Sequence, residues 1–313
     1  MKKLIRYWNQ NRIKVIITIF IIVFILVLIS VINNIISQVQ DNTMSNTSEI
    51  IDTAKPSESV ISGDSVSDEV TEANMDIIRD FVEYCNNKEY ENAYKLLTED
   101  CKSELFPNLQ TFIDNYYNQI FDKKITYSLE LWYYSSEVYT YRITYKEDNL
   151  LETGIVNSGS NKEDYITVVK EDNGDKLNIS NFIGKEKINK EVENKGIKIT
   201  ISERIRFKNY ERYIVEIVNN SNNTVLISEG IDSNDICLVD TNETEYDCML
   251  NEISLTDLEL EPYSRKNINI SFYKSYNSYR AVESMMFKNI ILDKQLYEVD
   301  PNNATRISIN IVI

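Results

Sequence analysis

The chain has 313 residues, a formal net charge of −16 and no histidine. The missing histidine excludes Ser-His-Asp and Cys-His catalysis and His-ligated zinc, copper or iron sites. The acidity repels phosphate backbones, so no nucleic acid partner is expected.

The charge is unevenly placed. Lys2, Lys3, Arg6, Arg12 and Lys14 all precede the first acid, Asp41. With those five set aside, 28 of the 33 bases remain against 49 acids, so the rest carries −21. Residues 1–14 read as a basic cytoplasmic tail. Residues 15–36 include the run V-I-I-T-I-F-I-I-V-F-I-L-V-L-I-S-V-I from Val15 to Ile32. At about 1.5 Å per residue, some 20 residues span a hydrocarbon core of roughly 30 Å. Bases before the run and none just after predict a single-pass transmembrane helix in the cell membrane. The N-terminus is then cytoplasmic and the C-terminal domains extracellular. Membrane lipid, contacted through residues 15–36, is the first expected partner. No small-residue cleavage site follows, so a retained anchor is expected over a cleaved signal.

Residues 37–74 carry eight acids against one base and no aromatic residue. That composition predicts a disordered, acidic, Ser/Thr-rich linker.

From 75 to 186 helices precede strands. Ile77, Ile78, Phe81, Val82 and Cys85 form one helical stripe, and Tyr90, Ala93, Tyr94 and Leu97 a second. Leu109, Phe112, Ile113, Tyr116 and Ile120 form a third, just after the helix breaker Pro107. The period then falls to two, with Ile125, Tyr127, Leu129, Leu131 and Tyr133 alternating with more polar or outward positions. Tyr139, Tyr141, Ile143 and Tyr145 alternate in turn. Glu171 to Asp175, centred on Asn173-Gly174, predicts a hairpin turn. This order predicts α+β, a cone of helices on a curved antiparallel sheet. The motif K-x-Y-x-x-A-Y-x-L-L (Lys88 to Leu97) and the ending V-V-K-E-D-N-G-D-K-L-N-I-S-N-F (Val168 to Phe182) resemble the nuclear transport factor 2-like domains of bacterial surface proteins. That resemblance implies a cone that holds a small ligand or serves as a docking surface.

From 187 to 313 the chain reads as all-β, with short strands at Ile197–Ile201, Tyr213–Ile217, Cys237–Val239, Ile268–Phe272, Phe287–Leu292 and Ile307–Ile313. Y-I-V-E-I-V-N-N-S (Tyr213 to Ser221), C-L-V-D-T-N-E-T-E-Y (Cys237 to Tyr246) and L-E-P-Y-S-R-K-N-I-N-I-S-F (Leu260 to Phe272) resemble immunoglobulin-like domains of Gram-positive surface proteins. The resemblance implies a sandwich with an accessory role and brings no catalytic residues.

The expected class is therefore α+β plus an all-β immunoglobulin-like sandwich, behind one N-terminal transmembrane helix. Within the cone, Tyr116, Tyr117, Trp132 and Tyr141 are the candidate ligand-binding residues; ordinary core is the alternative reading of such a stripe. Cys237 and Cys248 sit about equally far from the turn at Asn242 and Glu243, within reach of a disulfide, with buried free thiols as the alternative. Cys85 and Cys101 suit a bond less well. No metal site and no cofactor are expected. Asp172-Asn173-Gly174-Asp175 lacks the length and terminal Glu of a calcium loop, and Asp114 would be a lone carboxylate.

The sequence thus predicts a non-enzymatic, membrane-anchored binding or scaffold protein of the bacterial cell envelope. Its partner would be an envelope protein or cell-wall component, or a second copy. Two alternatives stand beside it: a scaffold part of a conjugation or secretion channel, and an enzyme using carboxylates in the cone. Two acids lining one pocket roughly 5–10 Å apart would favour the enzyme.

Overall fold

The computed structural model describes residues 57–135, 138–147, 161–230, 234–249, 252–254, 256–276 and 280–313. The first helix, α1 (Asp68–Asn86), buries Thr71, Asn74, Ile78, Phe81, Val82 and Cys85, a stripe spaced by three and four residues. It starts six residues before the expected end of the linker at 74. The Ser67 side chain accepts the Val70 N–H at 3.4 Å, and Asp68 and Glu69 occupy the first turn. Acids there complement the positive end of the helix dipole. The acidity that suggests a solvated linker is thus partly a helix start.

Short helices follow: α2 (Tyr90–Lys95), α3 (Glu99–Leu105) and α4 (Leu109–Phe112). Thr98 caps α3 and Asn108 caps α4 through side-chain oxygens that accept backbone N–H groups. A π-turn over Ile113–Tyr117 leads into α5 (Asn118–Ile120). This layer packs on an antiparallel sheet of β1 (Ile125–Ser135), β2 (Val138–Glu147), β3 (Lys162–Val169) and β4 (Lys176–Asn178), in that order. Phe81, Phe112, Tyr116 and Phe121 meet Leu131, Tyr141, Ile143 and Ile166 in one core. The expected hairpin joins β3 to β4, with Gly174 at φ +109°. Residues 57–66 loop along the outer edge of β1. There Val60 N–H donates to the Leu131 carbonyl at 2.9 Å and Ile61 N–H to that of Trp132 at 3.2 Å.

The remaining strands are β5 (Phe182–Asn194), β6 (Ile197–Phe207), β7 (Glu211–Asn219), β8 (Val225–Leu226) and β9 (Ile236–Asp240). After them come β10 (Glu245–Asp247), β11 (Glu259–Leu260), β12 (Ser264–Phe272), β13 (Val282–Ile291), α6 (Lys294–Val299) and β14 (Arg306–Val312). One sheet has the order β12-β7-β6-β5; the other runs β10-β9-β13-β8-β11, with β14 beside β13. Ile199, Ile201, Val215, Ile217 and Ile270 of the first pack against Leu238, Met285, Phe287, Ile309 and Ile311 of the second.

Three expectations are corrected. The boundary at 186/187 falls inside β5, a 13-residue strand whose register with β6 shifts between Lys187 and Lys190. Phe182 of β5 with Ile205 and Phe207 of β6 are buried in the first core, while Ile197, Ile199 and Ile201 of β6 are buried in the second. The expected class, an α+β nuclear transport factor 2-like cone plus a separate immunoglobulin-like sandwich, therefore does not hold. The described chain is mostly β, in antiparallel sheets joined by shared strands. Finally, no helix among the described residues is long and apolar enough to cross a membrane. The longest of them, α1, has an acidic outer face. The expected span, residues 15–36, lies outside the described residues. The transmembrane, single-pass assignment, with its cell-membrane localisation and extracellular C-terminal domains, is withdrawn.

Candidate functional site: a cationic cavity

The site arises from a fault in one strand. Residues on β6 alternate, and Ile197, Ile199 and Ile201 face the second core. Between the pairs Ile201–Val215 and Glu203–Ile214 the register shifts, leaving Ser202 as an extra residue. A bulge of one residue inverts which positions face which side. Beyond it, Ile205 and Phe207 turn to the first core, and Arg204 and Arg206 lie opposite Tyr213 and Glu211 of β7. The apolar face of the sandwich thus ends in two arginines.

These arginines line a cavity of about 170 Å³ with Tyr133, Ser135, Glu211, Lys274, Tyr276, Arg280, Ala281 and Val282. Four cations meet there in a chain whose net charge is −16. Glu186 Oε2 holds Arg204 Nη2 at 2.6 Å and Arg206 Nη2 at 3.6 Å. Lys274 Nζ donates to Glu211 Oε1 at 2.9 Å, and the Tyr213 hydroxyl donates to Glu211 Oε2 at 2.6 Å. Four cations line the cavity against one lining carboxylate, Glu211, with Glu186 behind the arginines and Asp240 near Arg280. Burial opposes the charge on Arg204, but Tyr213, Glu186 and Glu211 outweigh it and hold the guanidinium above its ordinary pKa. The Nε groups of Arg204 and Arg206 are buried and have no acceptor among the described residues.

Aromatic rings complete the walls. Tyr276 stands edge-on to Tyr133, centroids 5.3 Å apart, with the Arg206 guanidinium 5.5 Å from its own ring centre. Burial pushes the Tyr276 hydroxyl up to about 12. The Lys274 ammonium lies 5.8 Å from the ring centre of Tyr246, which also hydrogen-bonds Arg280 and donates to Asp240 Oδ2 at 2.8 Å. Such a cavity can hold and orient an anion. Glu211 is the carboxylate in its lining, and it is engaged by Lys274 and Tyr213.

The residues singled out from sequence lie elsewhere. Tyr116, Tyr117 and Tyr141 are 3%, 5% and 0% exposed, filling the first core and lining no open cone. Tyr116 donates to Asp164 Oδ2 at 2.8 Å and bonds the Tyr145 hydroxyl at 3.0 Å. Tyr141 accepts from Asn74 Nδ2 at 3.1 Å. Trp132 follows the core residue Leu131 and faces the other way. It stands edge-on to Tyr165, with the Lys208 ammonium 5.1 Å from its ring centre. Asp114 is exposed and accepts from Gln110.

All four cysteines are free. Cys237 pairs with Asp247 across β9 and β10, so Cys248 is one register position off and points to the opposite face. Cys248 joins the second core instead, bridging to Phe272. No group of three or more His, Cys, Asp or Glu residues suited to a metal occurs among the described residues.

A second cavity, of about 320 Å³, is lined by Glu58, Ser59, Val60, Gly63 and Glu130. Its Glu130 is ion-paired with Arg142.

Sequence reasoning missed Arg204 and Arg206 because Ile205 and Phe207 resume, after Glu203, the odd-numbered apolar alternation of Ile197 to Ile201. The bulge leaves one mark in that pattern, the charged Glu203 at an odd-numbered position. A second signal was compositional: two arginines two residues apart in an acidic chain.

No family model and no curated protein match this chain. A conserved hypothetical protein from Bacillus anthracis, a solved structure, is 13% identical over 34% of this chain and 89% of its own. Its TM-score of 0.25 is too low to carry an argument about fold or function.

Proposed function

We propose that this chain is a non-catalytic binding protein that captures a partner by an anionic group seated in the cationic cavity. The observation that carries this reading is the convergence of Arg204, Arg206, Lys274 and Arg280 on one cavity of a strongly acidic chain. A field that repels anions elsewhere and attracts them at one point gives selectivity as well as affinity. A carboxylate enzyme needs two acids free to act in one pocket. Glu211 is the one acid lining the cationic cavity and is committed to Lys274; of the two acids lining the second cavity, Glu58 and Glu130, Glu130 is committed to Arg142.

The test is calorimetric titration of the full chain with small anions at constant ionic strength. Saturable binding that weakens about tenfold in Arg206→Gln supports the reading. Heats no larger than those of chloride would sink it.

A further inference from the structure

We propose that the anionic group is a doubly charged tetrahedral oxyanion of the phosphoryl type. This inference rests on the binding role assigned to the cavity above and narrows it to one ligand chemistry.

Three features of the cavity select that chemistry. The first is charge: four cations line the cavity against the one lining carboxylate of Glu211, and a phosphoryl group brings about −1.5 to −2 at pH 7. A monocarboxylate brings less charge to the same four cations. The second is direction. Arg204 and Arg206 approach from β6, Lys274 from the segment after β12, and Arg280 from the segment before β13. A planar carboxylate is served by the fork of one guanidinium. A tetrahedral anion presents oxygens to several walls at once. The third is size. At about 170 Å³ the cavity is smaller than the roughly 300–1,000 Å³ of pockets that enclose a drug-sized ligand. It admits a headgroup and leaves the rest of an esterified ligand outside.

The two glutamates fit this role. Glu186 orients both arginines, and Glu211 fixes Lys274 at a buried position, so the cations are held in place before any ligand arrives. Preorganised donors lose little entropy on binding.

The experiment titrates the full chain at constant ionic strength and pH 7.5 with inorganic phosphate, phenyl phosphate, dimethyl phosphate, acetate and succinate. Inorganic and phenyl phosphate are expected to bind about tenfold or more tightly than the singly charged dimethyl phosphate and acetate. Arg206→Gln and Arg280→Gln should each weaken them by about tenfold. Arg280 is exposed, so its variant keeps the test alive if Arg206→Gln fails to fold. A preference for phenyl over inorganic phosphate would identify an esterified ligand, and the reverse a free one; either supports the proposal. Acetate or succinate binding as tightly as phosphate would overturn it and leave the anion-binding role standing. Phosphate binding that ignores both substitutions would overturn it too, and no binding of any anion would remove both.

Discussion

The ammonium of Lys274 lies 2.9 Å from a carboxylate oxygen of Glu211, with the two side chains only 3% and 2% exposed. Removing one member of a buried ion pair leaves an uncompensated charge, which costs about 3–5 kcal/mol. Glu211→Gln should therefore lower the unfolding free energy by about that much in urea denaturation. The joint change Glu211→Leu with Lys274→Met should recover most of the loss, because an apolar pair of similar volume avoids desolvation altogether. Recovery of stability without anion binding would separate the pair's two roles.

Asp164 gives a pH test. It is 4% exposed and accepts from the Tyr116 hydroxyl and the backbone N–H groups of Tyr165, Ser180 and Asn181. Burial raises its pKa above the ordinary carboxylate value, and these donors offset only part of the rise. The folded chain then binds the proton more tightly than the unfolded one. The stability this confers is present at acidic pH and is lost as pH climbs from about 4 through the folded pKa. The stability gap between the wild type and Asp164→Asn should narrow over that climb. A widening gap would mean that the donors outweigh burial.

The turn between β5 and β6 tests backbone conformation. Lys195 and Gly196 both have positive φ, at 48° and 82°, the signature of a two-residue hairpin turn whose twist matches its strands. A Cβ at Gly196 would meet atoms no closer than 3.8 Å, so strain and not crowding opposes a side chain. Gly196→Ala should cost about 1–2 kcal/mol, read as a lower denaturation midpoint with unchanged slope. Gly196→Asn should cost less, since Asn tolerates this region.

The thiols should be slow to react. Burial pushes Cys101 up to about 12 and Cys248 to about 11, and raises Cys85 and Cys237 as well. Few thiolates are then present at pH 8, and thiolate is the reactive form. A chromogenic disulfide reagent should label the native protein slowly and four thiols on unfolding. Two labelled thiols in the unfolded, unreduced protein would show a disulfide.

Much of the local structure was legible. The stripes beginning at Ile77 and at Tyr90, the alternation along Ile125 to Tyr145 and the Asn-Gly hairpin correspond to α1, α2, β1, β2 and the β3–β4 turn. Periodicity is a local property, so local signals found it. The candidate site was not legible. Tyr116 and Tyr141 recur at the spacing of any core set, and the π-turn that buries both Tyr116 and its neighbour Tyr117 has no periodic signature. The cavity depends on Ser202 being an extra residue in the β6–β7 register and on Lys274 and Arg280 returning from the connection between β12 and β13, about 70 residues away. Such long-range placement is a tertiary outcome. The shared strand was missed for a related reason: β5 is charged and polar through Lys185, Glu186 and Lys187, which looks like a boundary when only composition is read.

That shared strand has a consequence for dissection. Phe182 and Phe207, 5.5 Å apart, belong to one core, yet the hairpin that carries them ends in the other. A cut near residue 186 would strip the helical half of a wall and leave the sandwich with an orphaned edge. The two halves are therefore expected to fold together, as one unit from α1 to β14, and not as separable cassettes.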